Sequence, residues 1–299
     1  MATKDSIIGL SFSDRSVQAV EIEHDGSSHT LLAVDEWENT LPAKAGQNGH
    51  GVDQFVEYLS AFIKVNHIKT RTVSVALDTA SLFINTIPME AQLSPAEINE
   101  HISWELEQFF PDTPAKDFIT DTHVLTYNEP EQWNEVLTVS VRRYEAFLAQ
   151  DALSRLGLNL HVVDVDHLSA DTAHRKNYPD SLRRYVALVG VKENRLDVSL
   201  IKFGDILSYT YSVVDSNKEI VDQIGTLSRE TKGIHSITAY GPYLDKDLLV
   251  QIRRASSLLV EALNPLRHVR VSDSLRLTDR LSVPTYRFAS AVGVALRRD

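Results

Sequence analysis

The chain has 299 residues, of which 43% are hydrophobic and 24% are charged, as in an ordinary globular protein with enough residues for two packed lobes. Its formal net charge of -11 argues against nucleic-acid binding, because phosphates attract a basic surface. It contains no cysteine, no signal-peptide-like start and no apolar run long enough to span a membrane, which excludes disulfides and thiolate chemistry and predicts a soluble cytoplasmic protein.

The first part of the chain predicts a sheet followed by a helix. Strand-like runs at 7–12, 17–23 and 30–37 are joined by the turn SFSD and by the pair Asp25-Gly26, which is typical of an antiparallel meander. Hydrophobic residues at helical spacing predict a helix over 52–67, and TVSVALD at 72–78 predicts another strand.

A compact module is inserted next, at about residues 81–160. It begins with a predicted strand at 81–89. The helix SPAEINEHISWELEQFFP has Ser94 as its N-cap, Pro95 at its first position and Glu97 to close a capping box, and it ends at Pro111. Two further strands are predicted at 117–127 and 135–142, so the module has the order strand, helix, strand, strand.

The second half repeats the opening pattern. After a helix at 144–156 ended by Gly157, a buried strand and a short helix, the stretch NYPDSLRR marks a boundary. YVALVGV, RLDVSLIKF and DILSYTYSVV then predict a second meander followed by helices. We expect two lobes, 1–175 and 176–299, with a closing amphipathic helix at 286–298 that packs back toward the first lobe.

Four stretches carry a family resemblance. IIGLSFSDRSVQAVEI is similar to an opening hairpin G-I-D-I-G-S-x-x-V-K-A-V, and LSPAEINEHISWELEQFFP to a helix with an E-x-x-I-P-like end. ALSRLGLNLHVVDVDHLSA is similar to an A-G-L…D…L-A stretch, and FASAVGVALRR to a closing A-x-G-L-A-L-R. In this order they resemble the PilM-type actin-like proteins of type IV pilus and related secretion machines, relatives of FtsA. The resemblance covers nearly the whole chain and implies a two-lobed actin-like, ribonuclease H-like α/β fold with an SHS2-type inserted subdomain.

The resemblance also indicates where a nucleotide would bind. Actin-like ATPases hold Mg·ATP with two Asp-x-Gly hairpins and a glycine-rich adenosine turn, because glycine lets backbone N–H groups approach phosphate and aspartate organises Mg²⁺. The matching positions here are Ser11, Ser13 and Asp14 in the first hairpin, Gly190 and Lys192 in the second, and Gly241 before Pro242 in the adenosine turn. Both magnesium carboxylates are missing, which predicts a degenerate cleft filled by Lys192, no catalytic residue and no required cofactor. The chain also has neither a P-loop nor a G-x-G-x-x-G motif.

Other constellations favour ordinary structural roles. His161, His167 and His174, with Asp164 and Asp166 between them, have metal-ligating side chains, but their placement on a strand and the following helix favours packing and capping. His101 and Glu105 are four apart on one helix with no second pair to complete a site. No G-x-S-x-G elbow presents a nucleophilic serine. We therefore predict no metal site.

Charge suggests a partner. Between residues 90 and 135 the module has many carboxylates, Glu97, Glu100 and Glu107 among them, and Lys116 alone among lysines and arginines, whereas the C-terminal stretch is rich in arginine. The resemblance implies binding to the short cytoplasmic N-terminal tail of a PilN-type inner-membrane protein. Such tails are enriched in Lys and Arg, so these three glutamates are candidate docking residues.

The sequence favours a non-enzymatic scaffold peripheral to the inner membrane, with an assembly ATPase and self-association as further expected contacts. The alternative is an ATP-dependent conformational switch, in which Ser11, Ser13, Asp14 and Lys192 hold phosphate and Mg²⁺ in a rebuilt cleft. A sugar or acetate kinase of the same superfamily would need the missing aspartates and a substrate base.

Overall fold

The computed structural model describes residues 5–41, 50–128, 133–276 and 283–298. A mixed sheet forms the first lobe. Its strands are β1 (Asp5–Phe12), β2 (Ser16–Asp25), β3 (Ser28–Glu38), β4 (Thr72–Leu77), β8 (Asn159–Val165) and β14 (Arg270–Val271). β1 to β3 are antiparallel, and β4 and β8 run parallel beside β1, giving the order β14-β3-β2-β1-β4-β8. The predicted meander is confirmed.

The second lobe repeats this arrangement. Its strands are β9 (Tyr185–Val191), β10 (Arg195–Lys202), β11 (Asp205–Val213), β12 (Ser236–Tyr240) and β13 (Leu259–Ala262). β9 to β11 form a second antiparallel meander, and β12 and β13 continue in parallel, giving the order β11-β10-β9-β12-β13. The repeat confirms the two-lobed α/β fold, whereas β13 and β14 lie outside the predicted strands. We keep 1–175 and 176–299 as proposed limits of the lobes.

The inserted module has its own sheet. It consists of β5 (Phe83–Glu90), α2 (Pro95–Phe109), β6 (Phe118–Asn128) and β7 (Trp133–Arg142), with the strands in the order β5-β7-β6. α2 begins as predicted, because the Glu97 carboxylate accepts from the Ser94 backbone N–H and the Ser94 side chain accepts from the Glu97 N–H. α2 packs on one face of the sheet through Ile102 and Leu106, leaving the other face toward the first lobe.

The remaining helices surround the two large sheets. They are α1 (His50–Val65), α3 (Arg143–Ser154), α4 (Asp166–Asn177), α5 (Asn217–Glu230), α6 (Lys246–Ala255), α7 (Asp273–Arg276) and α8 (Ala289–Ala295). The expectation of an amphipathic C-terminal helix is wrong. A 3-10 turn at Thr285–Phe288 leads into α8, every residue of which is buried, because α8 packs between α4 and the strands β1 and β2.

The apolar core continues from one lobe to the other. One cluster of buried side chains contains Leu10 and Val75 of the first sheet together with Val189 and Ile237 of the second. In the part of the chain that the structure describes, no helix combines the length and the apolar character needed to cross a bilayer.

Candidate functional site

A lysine and three carboxylates meet between the lobes. Lys192 follows β9, and its Nζ lies 2.6 Å from both Asp78 Oδ1 and Asp166 Oδ2. Nζ is also 3.3 Å from Asp197 Oδ2 and donates to Thr79 Oγ1. The Lys192 side chain is only 8% exposed. Asp78 follows β4 and Asp166 begins α4, whereas Asp197 lies on β10, so one ammonium joins groups of both lobes.

Hydrogen bonds hold Asp197 in its charged form. Its Oδ1 accepts from Arg195 Nε at 2.8 Å and from the Tyr209 hydroxyl at 2.6 Å, and its Oδ2 accepts from Thr79 Oγ1 at 2.9 Å. Burial opposes the charge, yet Lys192 and Arg195 hold the pKa of Asp197 well below its usual range.

Asp166 is the carboxyl group of this cluster whose pKa is raised. Burial raises its pKa to about 7 against the attraction of Lys192, and the charges of Asp78 and Asp197 act in the same direction as burial. Two cations, Lys192 and Arg195, face three carboxyl groups, so one carboxyl lacks a full counter-charge. Asp166 Oδ1 accepts from the Thr79 N–H at 3.1 Å, which fixes the start of α4 against the end of β4.

The first-hairpin positions make contacts within the fold. Ser11 is buried in β1, and Ser13 Oγ donates to the Ser16 carbonyl oxygen, closing its own turn at 2.9 Å. Asp14 lies in that turn, where burial followed by the charge of Asp78 raises its pKa despite Lys192. None of the three side chains is hydrogen-bonded to Lys192 among the described residues.

The two glycine positions are occupied by close packing. A Cβ on Gly190 would meet the Tyr240 hydroxyl, and a Cβ on Gly241 would overlap the Val191 carbonyl. Gly241 also has φ +127°, a conformation that L side chains rarely adopt. Both glycines are therefore required by the protein's own packing, independently of any phosphate.

Two further contacts tie the lobes together. Arg15 in the first hairpin turn is ion-paired with Glu193 in the second. Arg287, just before α8, lies 2.7 Å from Glu36 Oε1 on β3 and donates to the Pro242 carbonyl oxygen after β12. The turns that grip phosphate in an actin-like ATPase are thus connected to each other here.

The histidines do not form a cluster. His167 is buried between the Tyr240 hydroxyl and Ser199 Oγ, each 2.8 Å from a ring nitrogen, and burial lowers its pKa to about 4. His174 stacks on Tyr178, and His161 is exposed on β8. Across the described residues, no group of three or more His, Asp or Glu side chains is arranged to hold a metal ion.

An apolar groove of about 380 Å³ separates the inserted module from the first lobe. One wall is the β6–β7 face opposite α2, with Ile119 and Val139, and the other includes Val163 of β8. β6 and β8 are each the last strand of their sheets, so each has an edge free of strand pairing within the described residues. Ile119 and Val163 are 41% and 40% exposed.

The groove floor carries a charge pair. Arg297 lies 2.9 Å from Asp164, whose side chain is buried. Arg297 also lines a wider cavity of about 780 Å³ beside α4, where Arg175 is ion-paired with Asp171 and Lys176 is exposed. The groove is therefore apolar between the module and β8, and its Arg297 end is lined by ion pairs.

The candidate glutamates of α2 lie elsewhere. Glu97, Glu100 and Glu107 are exposed on the side of α2 turned away from its sheet, whereas the groove lies on the other face of that sheet. The structure therefore does not bring these three carboxylates to the groove. Glu97 is held by Ser94, and those hydrogen bonds lower its pKa.

The residues that sequence reasoning missed are the partners of Lys192. Asp78 and Asp166 each follow a parallel strand of the first sheet, at the carboxyl edge where open α/β sheets place their sites. Their position directly after parallel strands could have identified these two aspartates from the sequence. Asp197 offered no comparable signal in the sequence, because it lies inside a strand and interrupts the apolar pattern there.

Comparisons with known proteins agree with this architecture. The sequence matches the family described as "Type IV pilus assembly protein PilM" over residues 9–212. The fold is similar to a structure of a "PilM-PilN type IV pilus biogenesis complex", with a TM-score of 0.77 and 15% identity over 97% of each chain.

Two more distant structures share the fold. A Bacteroides thetaiotaomicron protein with an actin-like ATPase fold matches with a TM-score of 0.53 and 10% identity, covering 93% of this chain and 94% of that one. The ethanolamine utilization protein EutJ from Carboxydothermus hydrogenoformans matches with a TM-score of 0.51 and 10% identity, covering 98% and 89%. Since the family match spans more than half of the chain, this protein belongs to the PilM family of type IV pilus assembly proteins.

Proposed function

We propose that this chain is a non-enzymatic, cytoplasmic scaffold of a type IV pilus or related secretion assembly platform. It binds the cytoplasmic N-terminal tail of a PilN-type inner-membrane protein and is thereby held at the membrane. The observation that carries the non-enzymatic part is the buried ammonium of Lys192 among three carboxylates between the lobes.

The family resemblance assigns Lys192 to the second of the two hairpin turns that hold phosphate and Mg²⁺ in an actin-like ATPase. Its ammonium is already ion-paired with Asp78 and Asp166, and the Arg15–Glu193 pair connects the two hairpin turns. A bound Mg·ATP would first have to separate Lys192 from these buried carboxylates and Arg15 from Glu193, and breaking buried ion pairs is costly. We infer that the lobes stay closed without nucleotide.

The groove has the features of a site for an extended peptide. A segment entering it can pair with the free edge of β6 or β8 through its backbone and place apolar side chains against Ile119, Val139 and Val163. The similar PilM structure is that of a complex with PilN, which supports a PilN-type partner for this chain. The acidic module adds long-range attraction for a basic tail.

Calorimetry tests the groove with a synthetic peptide of the cognate PilN-type N-terminal tail. Val163→Asp should weaken binding at least tenfold, because it places a charge on the apolar wall. Val65→Asp is the matched control, since Val65 is 60% exposed on α1, outside the groove. Equal affinity of both variants and the wild type would place the tail elsewhere.

Thermal unfolding with and without millimolar Mg·ATP tests the non-enzymatic part. A ligand present at 100 times its Kd stabilises a fold by about 2.7 kcal/mol, which a melting curve detects. We expect no shift beyond that caused by magnesium chloride alone. A clear, ATP-specific shift would replace the scaffold proposal with the nucleotide-dependent switch.

A further inference from the structure

We propose that the outer face of α2 is a second docking surface, built for an arginine-bearing segment of a partner protein. We define the α2 outer face as Glu97, Glu100, Trp104 and Glu107. This inference is independent of what occupies the groove, because the two surfaces lie on opposite sides of the module's sheet.

Trp104 is the centre of this face. It lies opposite the buried stripe of Ile102 and Leu106 and is 56% exposed. Its described aromatic contact is an edge-on approach to His101, with ring centroids 6.3 Å apart. Tryptophan is an enriched anchor residue of protein interfaces, and here its indole is open to solvent.

Carboxylates surround the indole. Glu100 lies four residues before Trp104 and Glu107 three residues after it, so both are its neighbours on the helix surface, and Glu97 lies two turns before it. No lysine or arginine in the described parts of the chain is ion-paired with any of these three glutamates. The face is therefore acidic without an internal counter-charge.

Arginine is the side chain that fits this combination. Its guanidinium stacks on an indole face and at the same time donates paired hydrogen bonds to a carboxylate. A lysine ammonium offers the charge without the planar stack. A purely solvated helix face would attract both cations equally and would not depend on Trp104.

Two short peptides of equal length distinguish these cases, one alternating arginine with serine and the other lysine with serine. At low salt the arginine peptide should bind the wild-type chain roughly fivefold more tightly, and Trp104→Ala should remove that difference. Phe147→Ala is the matched control, because Phe147 is also 56% exposed but lies on α3. Glu100→Gln should reduce the salt dependence, whereas Glu57→Gln on α1 should not.

The contact can be observed directly through the indole N–H signal of Trp104 in a nitrogen-15 spectrum. That signal should move on titration with the arginine peptide, while the signal of Trp37, which is half-buried in β3, stays in place. Unchanged melting of Trp104→Ala would show that the variant is folded, as expected for an exposed side chain.

Three results would overturn the proposal. Equal binding of both peptides by wild type and Trp104→Ala would leave only a solvated acidic face. Self-association of the wild type in sedimentation velocity that Trp104→Ala abolishes would make a second copy of this chain the occupant. Competition between the arginine peptide and the PilN-type tail peptide would show that both bind at one surface. The Val163→Asp experiment tests binding in the groove independently of this result.

Discussion

At the scale of single residues, Lys192 is the centre of the ion pairs between the lobes. The family resemblance assigns it to a position that is a close-approach glycine in an ATPase, and its ammonium is bound by Asp78, Asp166 and Asp197. The sequence alone predicted that Lys192 would fill the cleft, because the residue stands in a turn position that an ATPase keeps free of side chains. It did not predict the three carboxylates, whose convergence depends on the packing of two sheets.

Lys192→Met should destabilise the protein by about 3–5 kcal/mol, because it leaves buried carboxylates without their counter-ion. Urea unfolding at pH 7 measures this effect, with Lys64→Met on the exposed end of α1 as the control. Adding Asp78→Asn to Lys192→Met should restore part of the loss by removing one uncompensated charge. A loss below about 1 kcal/mol in Lys192→Met would show that the ion cluster contributes little.

His174 makes the protein sensitive to acid. Its Nδ1 is buried without a hydrogen-bond partner in the described structure, and burial lowers the pKa of His174 to about 4. A His that is neutral when folded but protonates when unfolded contributes stability above pH 6.5 that is lost as pH falls toward 4. From pH 7 to pH 5 this loss amounts to about 2 kcal/mol.

His174→Phe should retain the stack on Tyr178 and remove this part of the pH dependence. Urea unfolding at pH 7 and pH 5 should therefore show a smaller fall in the free energy of unfolding for the variant. The remaining fall includes the contribution of His167, which has a similarly lowered pKa. Equal falls in variant and wild type would mean that His174 does not titrate as inferred.

At the scale of elements, the sequence predicted the helix starts and turns that depend on interactions between neighbouring residues. The capping box at Ser94 and Glu97 starts α2, and Gly26, with φ +60°, lies in the β2–β3 turn. The composition of α8 did not predict that all its residues are buried, because its small apolar residues also fit a weakly amphipathic helix. Its burial results from glycines on facing elements, Gly9 and Gly293, which let backbones approach closely.

Gly293→Ala should disrupt the contact between α8 and α4. A Cβ at this position would overlap the backbone carbonyl of Ser169, and neither helix can move away from a buried site without losing packing. We expect a loss of about 1–3 kcal/mol in thermal or urea unfolding. Gly225→Ala on α5 is the matched control, since its Cβ would make a tight contact of 3.3 Å with the Ala255 carbonyl oxygen but no overlap. Equal stability of the two variants would show that α8 shifts without cost.

At the scale of the whole molecule, the repeated meander predicted two lobes, but not how firmly they are joined. The ion cluster at Lys192, the Arg287 contacts and a shared apolar core all cross between the sheets. Contacts between residues this far apart in sequence leave no local pattern, so the sequence predicted the two lobes but not the contacts that join them.

The joined lobes should unfold together. All three tryptophans, Trp37, Trp104 and Trp133, precede residue 176, so tryptophan emission reports the first lobe and its module, whereas far-UV circular dichroism reports both lobes. In the wild type the two urea curves should coincide, as for a single cooperative unit. In Lys192→Met they should separate, because the ion pairs that couple the second lobe to Asp78 and Asp166 are gone. Coincident curves in the variant would show that the shared apolar core alone couples the lobes, and separate curves in the wild type would contradict the closed scaffold itself.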